Sequence, residues 1–150
     1  MKIPLEVNPD GLIYTTIIIK APKYHVKHGL KDFYIDTGSP TTYISERHAQ
    51  ELNVPFKCLT RKEDVMRIGG TNFFAHDMKR VHFGLKNDKE EIVYFVLDTQ
   101  VVKGSKIKSK EREIALSLPS IIGNDFLINN KLKLYHNPLK KESYLLSVEE

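Results

Sequence analysis

Residues 33 to 45 read FYIDTGSPTTYIS: an apolar run, one acidic side chain at Asp36, a glycine two places on, and a second β-type run beginning at Thr42. Asp and Gly are turn formers wherever strands end, so the triplet Asp36-Thr37-Gly38 is by itself a weak sign of chemistry. Its flanks give it weight. A turn gripped by strands on both sides is held in a fixed place, and Asp36 is the acidic group held there.

Working outward, residues 12 to 21 are rich in Ile, Thr and Tyr, follow the turn former NPDG, and predict a strand buried around Ile17, Ile18 and Ile19. DFYID predicts a second, short strand. Ser45 is a candidate N-cap, with His48 at the third helical position, apolar Ala49 and Leu52 behind it and Pro55 just past the end, which predicts one short helix. From 63 to 98 the pattern is strand-like, with Gly69-Gly70 as a hairpin turn, because glycine takes positive φ at both central positions without steric cost. LKNDKEE is a further turn. The charged stretch 103 to 113, KGSKIKSKERE, predicts a solvated loop, and in LPSIIGNDFLINN either Asn124 or Asp125 can cap a short helix. KLKLYHN and SYLLSV read as closing strands around PLKK. Many short strands joined by turns, with one or two short helices, predict an all-β architecture, closed or sandwich-like, rather than a parallel α/β sheet.

The chain has 150 residues, the size of one domain spanning 1–150. With 41% hydrophobic and 28% charged residues it has the composition of a globular protein and neither a disordered nor a collagen-like one. A net charge of +4 and a pI near 9.0 only mildly favour anionic partners. The charged segment 103–113 has no aromatic to stack on a base, so no nucleic-acid partner is expected. The single cysteine, Cys58, rules out an intrachain disulfide, suits a reducing compartment, and is expected to be a buried small apolar residue. The opening MKIPLEVNPDG has no leader pattern, and LIYTTIIIKA is about half of what a membrane span needs, so a soluble, cytoplasmic protein without a membrane partner is expected. The six histidines lack metal-type spacing, and no phosphate loop or Ser/His/Asp or Cys/His signature occurs, so no metal or cofactor is expected.

With those residues in view, the sequence resembles the retropepsin-like aspartic proteases, the single-domain group that includes retroviral proteases. Three ordered motifs carry the resemblance across about two thirds of the chain. IDTGS, Ile35 to Ser39, is similar to the family's active-site loop. RIGG, Arg67 to Gly70, is similar to the tip of its β-hairpin flap. SIIGNDFL, Ser120 to Leu127, is similar to the segment and helix beneath the loop. The resemblance implies an acid-protease-type closed β-barrel and an aspartic endopeptidase. It implies Asp36 as catalytic acid/base and Ile68, Gly69 and Gly70 as a flap over an extended peptide substrate. Ile121, Ile122, Gly123 and Asn124 would be the supporting loop. The first thirty residues, the segment 103–113 and Pro40 depart from the pattern, which bears on the dimer contacts and the groove.

Metal-free amide hydrolysis needs an activated water and an acid for the carbonyl, and two adjacent carboxylates sharing one proton supply both; aspartic proteases are the standard example of such a pair. One Asp-Thr-Gly gives one carboxylate. The closest second copy, Leu97-Asp98-Thr99-Gln100, has glutamine where the loop needs glycine. The partner is therefore expected from a second chain, with Asp36 meeting Asp36 at a homodimer axis, as the resemblance also implies. Within such a site the resemblance gives Thr37 a hydrogen bond across the dyad. Gly38 would bring a backbone donor to the carboxylate, and Ser39 a donor to its outer oxygen. Ile44, Val65 and Ile68 are candidate pocket residues. The alternative is a peptide-binding or assembly module of the same fold without turnover; a nucleic-acid-associated β-barrel rests on charge alone.

Overall fold

The computed structural model describes residues 1–105 and 109–148. Strands run in chain order as β1 (Lys2–Val7), β2 (Ile13–Ala21), β3 (Val26–Ile35), β4 (Tyr43–Ile44), β5 (Thr60–Ile68), β6 (Thr71–Lys86), β7 (Ile92–Gly104), β8 (Ser120–Ile122), β9 (Leu132–Asn137) and β10 (Glu142–Ser147). Three α-helices interrupt them: α1 (Glu46–Glu51), α2 (Ser109–Ser117) and α3 (Asn124–Asn129). The sheet order is β5-β6-β7-β4-β8-β3-β2-β1-β10-β9, and a further pairing of β6 with β2 closes β2, β3, β8, β4, β7 and β6 into a ring. The architecture is all-β, with a closed ring of six strands.

Alternation along the strands fills the ring. In β2, Ile13, Ile17, Ile19 and Ala21 point inward, as a period of two requires. Along β6 the main-core positions change parity, from the even Met78 to the odd Val81, Phe83 and Leu85, while Phe73 belongs to a smaller cluster. The register with β7 shifts between Met78 and Val81, and Arg80 lies at φ +55°, so a β-bulge resets the side-chain faces there. Its backbone donors are satisfied from outside the ladder: Arg80 N donates to Asp98 Oδ1 at 2.8 Å and Lys79 N to Tyr24 Oη at 3.0 Å. The bulge lets one long strand pair with β5 at one end and β2 at the other. Phe83 sits between Phe33 and Phe126, edge-on to both at 5.9 and 5.3 Å between ring centres.

Two parallel pairings lie beneath the Asp36 loop. β3 runs beside β8 with Tyr34 opposite Ile121 and Ile35 opposite Ile122, while β4 runs beside β7 with Tyr43 opposite Gln100. Two chain segments distant in sequence thereby meet under the loop that joins β3 to β4.

Several sequence expectations are corrected. The strand expected only at DFYID starts at Val26, since β2 offers a continuous edge to residues whose own composition is polar. β1 lies in a stretch to which the sequence reading assigns no strand. Over residues 2–5 it pairs with β10 alone, so Pro4 is tolerated on the strand's open side. Within 103–113, Lys103 and Gly104 finish β7 and residues 109–113 open α2, so three helices replace the expected one or two; residues 106–108 lie outside the described residues. Cys58 is exposed, at the end of a 3-10 turn (Phe56–Cys58), because that turn runs along the surface. Among the described residues no helix is long and apolar enough to cross a membrane.

Phe83 is 0% exposed and joins both sides of the ring. Phe83→Ala is expected to cost about 3–5 kcal/mol in urea unfolding, whereas Leu139→Ala, at a side chain 95% exposed, is expected to change stability by less than about 0.5 kcal/mol.

Candidate active site

The loop from Asp36 to Thr42 leaves β3 and returns as β4, and its backbone is bonded at nearly every step. Asp36 N donates to Ile122 O at 3.0 Å, and Gly38 N turns back to Asp36 Oδ1 at 2.9 Å. A β-carbon at Gly38 would stand 3.1 Å from that same oxygen, so a side chain there would crowd the carboxylate. Asn124 N and Asp125 N, at the start of α3, donate to Ser39 O and Pro40 O at 2.9 and 3.2 Å. Asn124 Nδ2 donates to Thr37 O at 2.7 Å.

Beneath the loop lies a residue pair without an assigned role in the sequence reading. Thr42, fully buried, donates through both its N and its Oγ1 to Asp125 Oδ1, at 2.9 and 2.6 Å, and its Oγ1 accepts from Gly123 N at 2.9 Å. The sequence offers Asp125 only as a helix cap. Its carboxylate instead spans to Thr42, and Gly123 stands at the N-cap position of α3 without a side-chain cap. Gly123 is required by space: a β-carbon would lie 2.6 Å from Thr41 O and 2.7 Å from Ser39 O, and backbone cannot give way as a side-chain tip can.

Ser39 departs from its assigned contact, because its Oγ donates to Thr41 O at 2.7 Å and so braces the loop and not the outer oxygen of Asp36. Asp36, Thr37 and Gly38 are exposed. A groove of about 540 Å³ opens beside Asp36, with Tyr34, Ile35, Ile121 and Pro119 on its walls, Leu12 at its mouth and Arg47 of α1 on its rim. Ile121 thus reaches the groove, while Ile122, Gly123 and Asn124 hold the loop from below.

Of the candidate pocket residues, Ile44 is fully buried in the main core and faces away from the groove. Val65 is 48% exposed on β5. Ile68 packs, with Met66, against a smaller cluster of Tyr43, Phe73, Val102, Ala115 and Ile121. Gly69 and Gly70 form the tip of the β5–β6 hairpin at φ +56° and +80°, the backbone of a turn whose twist matches its strands. They do not line the Asp36 groove.

Electrostatics follow from burial. Tyr43's phenol is pushed up to about 12, chiefly by burial and further by the charge of Asp36, so it stays protonated at neutral pH. His48 of α1 is held below its ordinary value, chiefly by burial and then by the charge of Arg47; its Nδ1 meets Ser120 Oγ at 2.7 Å, and Ser45 N donates to the same hydroxyl. Glu46, beside it in sequence and buried, pairs with Arg112 of α2 and accepts from Gly104 N at 2.7 Å. Among the described residues no group of three or more His, Cys, Asp or Glu side chains is placed to hold a metal ion.

No protein-family model and no curated protein matches the sequence. Solved structures do resemble it. A retropepsin-like aspartic protease from Rickettsia conorii superposes with a TM-score of 0.56 at 18% identity, covering 97% of this chain and 89% of that one. The EIAV protease bound to an inhibitor superposes at 0.49 and 15% identity, over 86% of this chain and 97% of that one. The first likeness shows that the chain has a retropepsin-like fold.

Thr42→Val keeps the shape and removes the hydroxyl, leaving Gly123 N–H and one Asp125 interaction unmet; a loss of about 2–3 kcal/mol in chemical denaturation is expected. For His48 the folded value lies below that of the unfolded chain, so stability is complete above 6.5 and is lost as pH falls below it. Urea midpoints measured between pH 7.5 and 5 should therefore fall with pH, and less steeply in His48→Gln.

Proposed function

With a retropepsin-like fold as the premise, we propose that this protein is an aspartic endopeptidase that cuts extended polypeptides at a two-fold axis shared by two copies of the chain. The observation that carries this reading is the Asp36 carboxylate itself. It is exposed at a groove, receives one hydrogen bond from Gly38 N, and sits on a loop whose backbone is pinned to β8 and α3. Such a group is rigidly aimed yet open to a reaction partner.

The chemistry sets what the second copy supplies. Asp36 of the two chains would lie side by side, and like charges so close do not both ionise, so the pair holds one proton. The ionised member draws a proton from water as it attacks the peptide carbonyl, and the protonated member donates to the carbonyl oxygen. The tetrahedral species then collapses as the nitrogen takes up a proton. Thr37, exposed next to Asp36, would bond across the axis and keep the two loops coplanar. Ile68, Gly69 and Gly70 would close as a flap at the tip of the β5–β6 hairpin, whose β5 is exposed along most of its length while Met66, Ile68 and Phe73 tie it to the smaller apolar cluster. Peptide would bind as an added strand, main chain to main chain. The single copy of the motif supports dimerisation. Asp98-Thr99-Gln100 runs straight through β7, with Thr99 buried and Asp98 committed to the β6 bulge.

Purified protein and its Asp36→Asn variant, incubated with a diverse peptide mixture at mildly acidic pH and read by mass spectrometry, test this directly. The wild type is expected to cleave and the variant to fall by at least about a hundredfold. Adding excess variant to wild type should suppress activity by forming mixed pairs, and activity should decline into alkali as the shared proton is lost. Peptides retained intact by both proteins would instead identify a binding module. Undiminished activity in the mixture would sink the shared-axis site.

A further inference from the structure

The groove at Asp36 continues past Arg47. A second cavity, of about 330 Å³, shares Tyr34, Arg47 and Pro119 with the first and runs on toward Lys31 and His48. Lys31, Asp32, Arg47, His48 and Glu51 face this continuation. Lys31 Nζ is paired with Glu51 at 2.8 Å, Asp32 accepts from Thr16 Oγ1 at 2.6 Å, and His48 is buried against Ser120 and disfavoured as a cation. Arg47 is exposed, lies near enough to Glu51 and His48 to act on both through its charge, and forms no ion pair or hydrogen bond with any described residue. A guanidinium without a hydrogen bond to any described residue thus stands between a pocket that contains Asp36 and the cavity beyond it.

We infer that Arg47 is a specificity-determining residue which selects peptides carrying an acidic side chain two positions from the apolar residue seated beside Asp36. The inference rests on the peptide-binding reading of the same groove. Alternate side chains of an extended peptide lie on one face, about 6.6 Å apart, so the side chain next on that face from the Asp36 pocket arrives at Arg47. A carboxylate there accepts from a planar fork of donors, which discriminates it from a neutral amide and repels a lysine. The substrate class is therefore an extended segment of the form apolar–any–acidic, in one or other chain direction, and the net charge of +4 is in keeping with such partners.

The test separates this inference from hydrolysis. Fluorescent peptides with an apolar residue and Glu, Gln or Lys two places away, in both orders, are bound to full-length Asp36→Asn protein and followed by anisotropy; the wild type is profiled on the same peptides by mass spectrometry. In one of the two orders, Glu is expected to bind roughly tenfold tighter than Gln, with Lys weakest, and the preference should shrink as salt rises. Arg47→Lys should keep most of the preference, Arg47→Ala lose it and Arg47→Glu reverse it toward Lys. The same ranking should appear in wild-type cleavage where cleavage occurs. Ranked binding without wild-type cleavage would overturn the endopeptidase and leave the selectivity standing. Equal retention of the three peptides, including retention of none, or a preference unchanged in Arg47→Glu, overturns the role of Arg47.

Discussion

The contact on which the site depends is the carboxylate of Asp125 against the buried Thr42. A loop that leaves one strand and enters another has no ladder of its own, and its polar backbone has to be met from elsewhere. Here one carboxylate oxygen takes two donors from Thr42, the threonine hydroxyl takes the amide of Gly123, and the first turn of α3 bonds the loop carbonyls above. Removing any one member leaves a buried group unmet, at about 1–3 kcal/mol. The close approach also fixes the identity of Gly123, where a methyl group would strike two carbonyl oxygens. Asp36 is held still because residues nearly ninety positions downstream hold it, and they can reach it because β3 and β8 run in parallel.

A second constraint links the hairpin to the site. The smaller apolar cluster gathers Phe73, Met66 and Ile68 from the hairpin, Ala115 from α2, and Tyr43 and Ile121 from the strands next to Asp36. Movement of the hairpin is thereby felt at the groove wall. α2 is fastened at its other side by the Glu46 ion pair with Arg112. A buried carboxylate that lost its partner would be costly, so α2 cannot lift away without exposing Glu46. Hairpin, α2 and groove wall therefore form one packed unit above a pedestal that is itself hydrogen-bonded.

Much of this was legible in the sequence, for identifiable reasons. The turn at Gly69-Gly70, the capping by Ser45 and the alternation in β2 are local, set by residues within one or two turns of each other. The Asp36 loop was legible because two apolar strands flank it. What stayed hidden depends on partners far away. β1 and the start of β3 are strands because a neighbouring edge is available, not because their residues favour it. α2 was hidden by its charge: Arg112 reads as a solvated residue until Glu46 stands opposite, and Ala115 as filler until Phe73 packs near it. Asp125 could be read as a cap, since nothing local reveals Thr42. Arg47 gave no signal at all, because a lone arginine on a short helix has meaning only from the groove it borders.

Two carboxylates show how the structure divides its labour. Glu46 is buried and spends its oxygens on Arg112, Gly104 N and, at 3.4 Å, Gln50 Nε2. Such a group is fixed in position, with its acceptors taken up by donors. Asp36 is exposed and has a single backbone donor, to Oδ1, leaving Oδ2 without a hydrogen bond to any described residue. The same functional group is a structural fastener where its donors are complete, and is left open to a partner where they are not. What the fold contributes to Asp36 is therefore rigidity of the backbone without saturation of the side chain. The free oxygen is the one through which a second carboxylate, a water or a substrate carbonyl can be engaged.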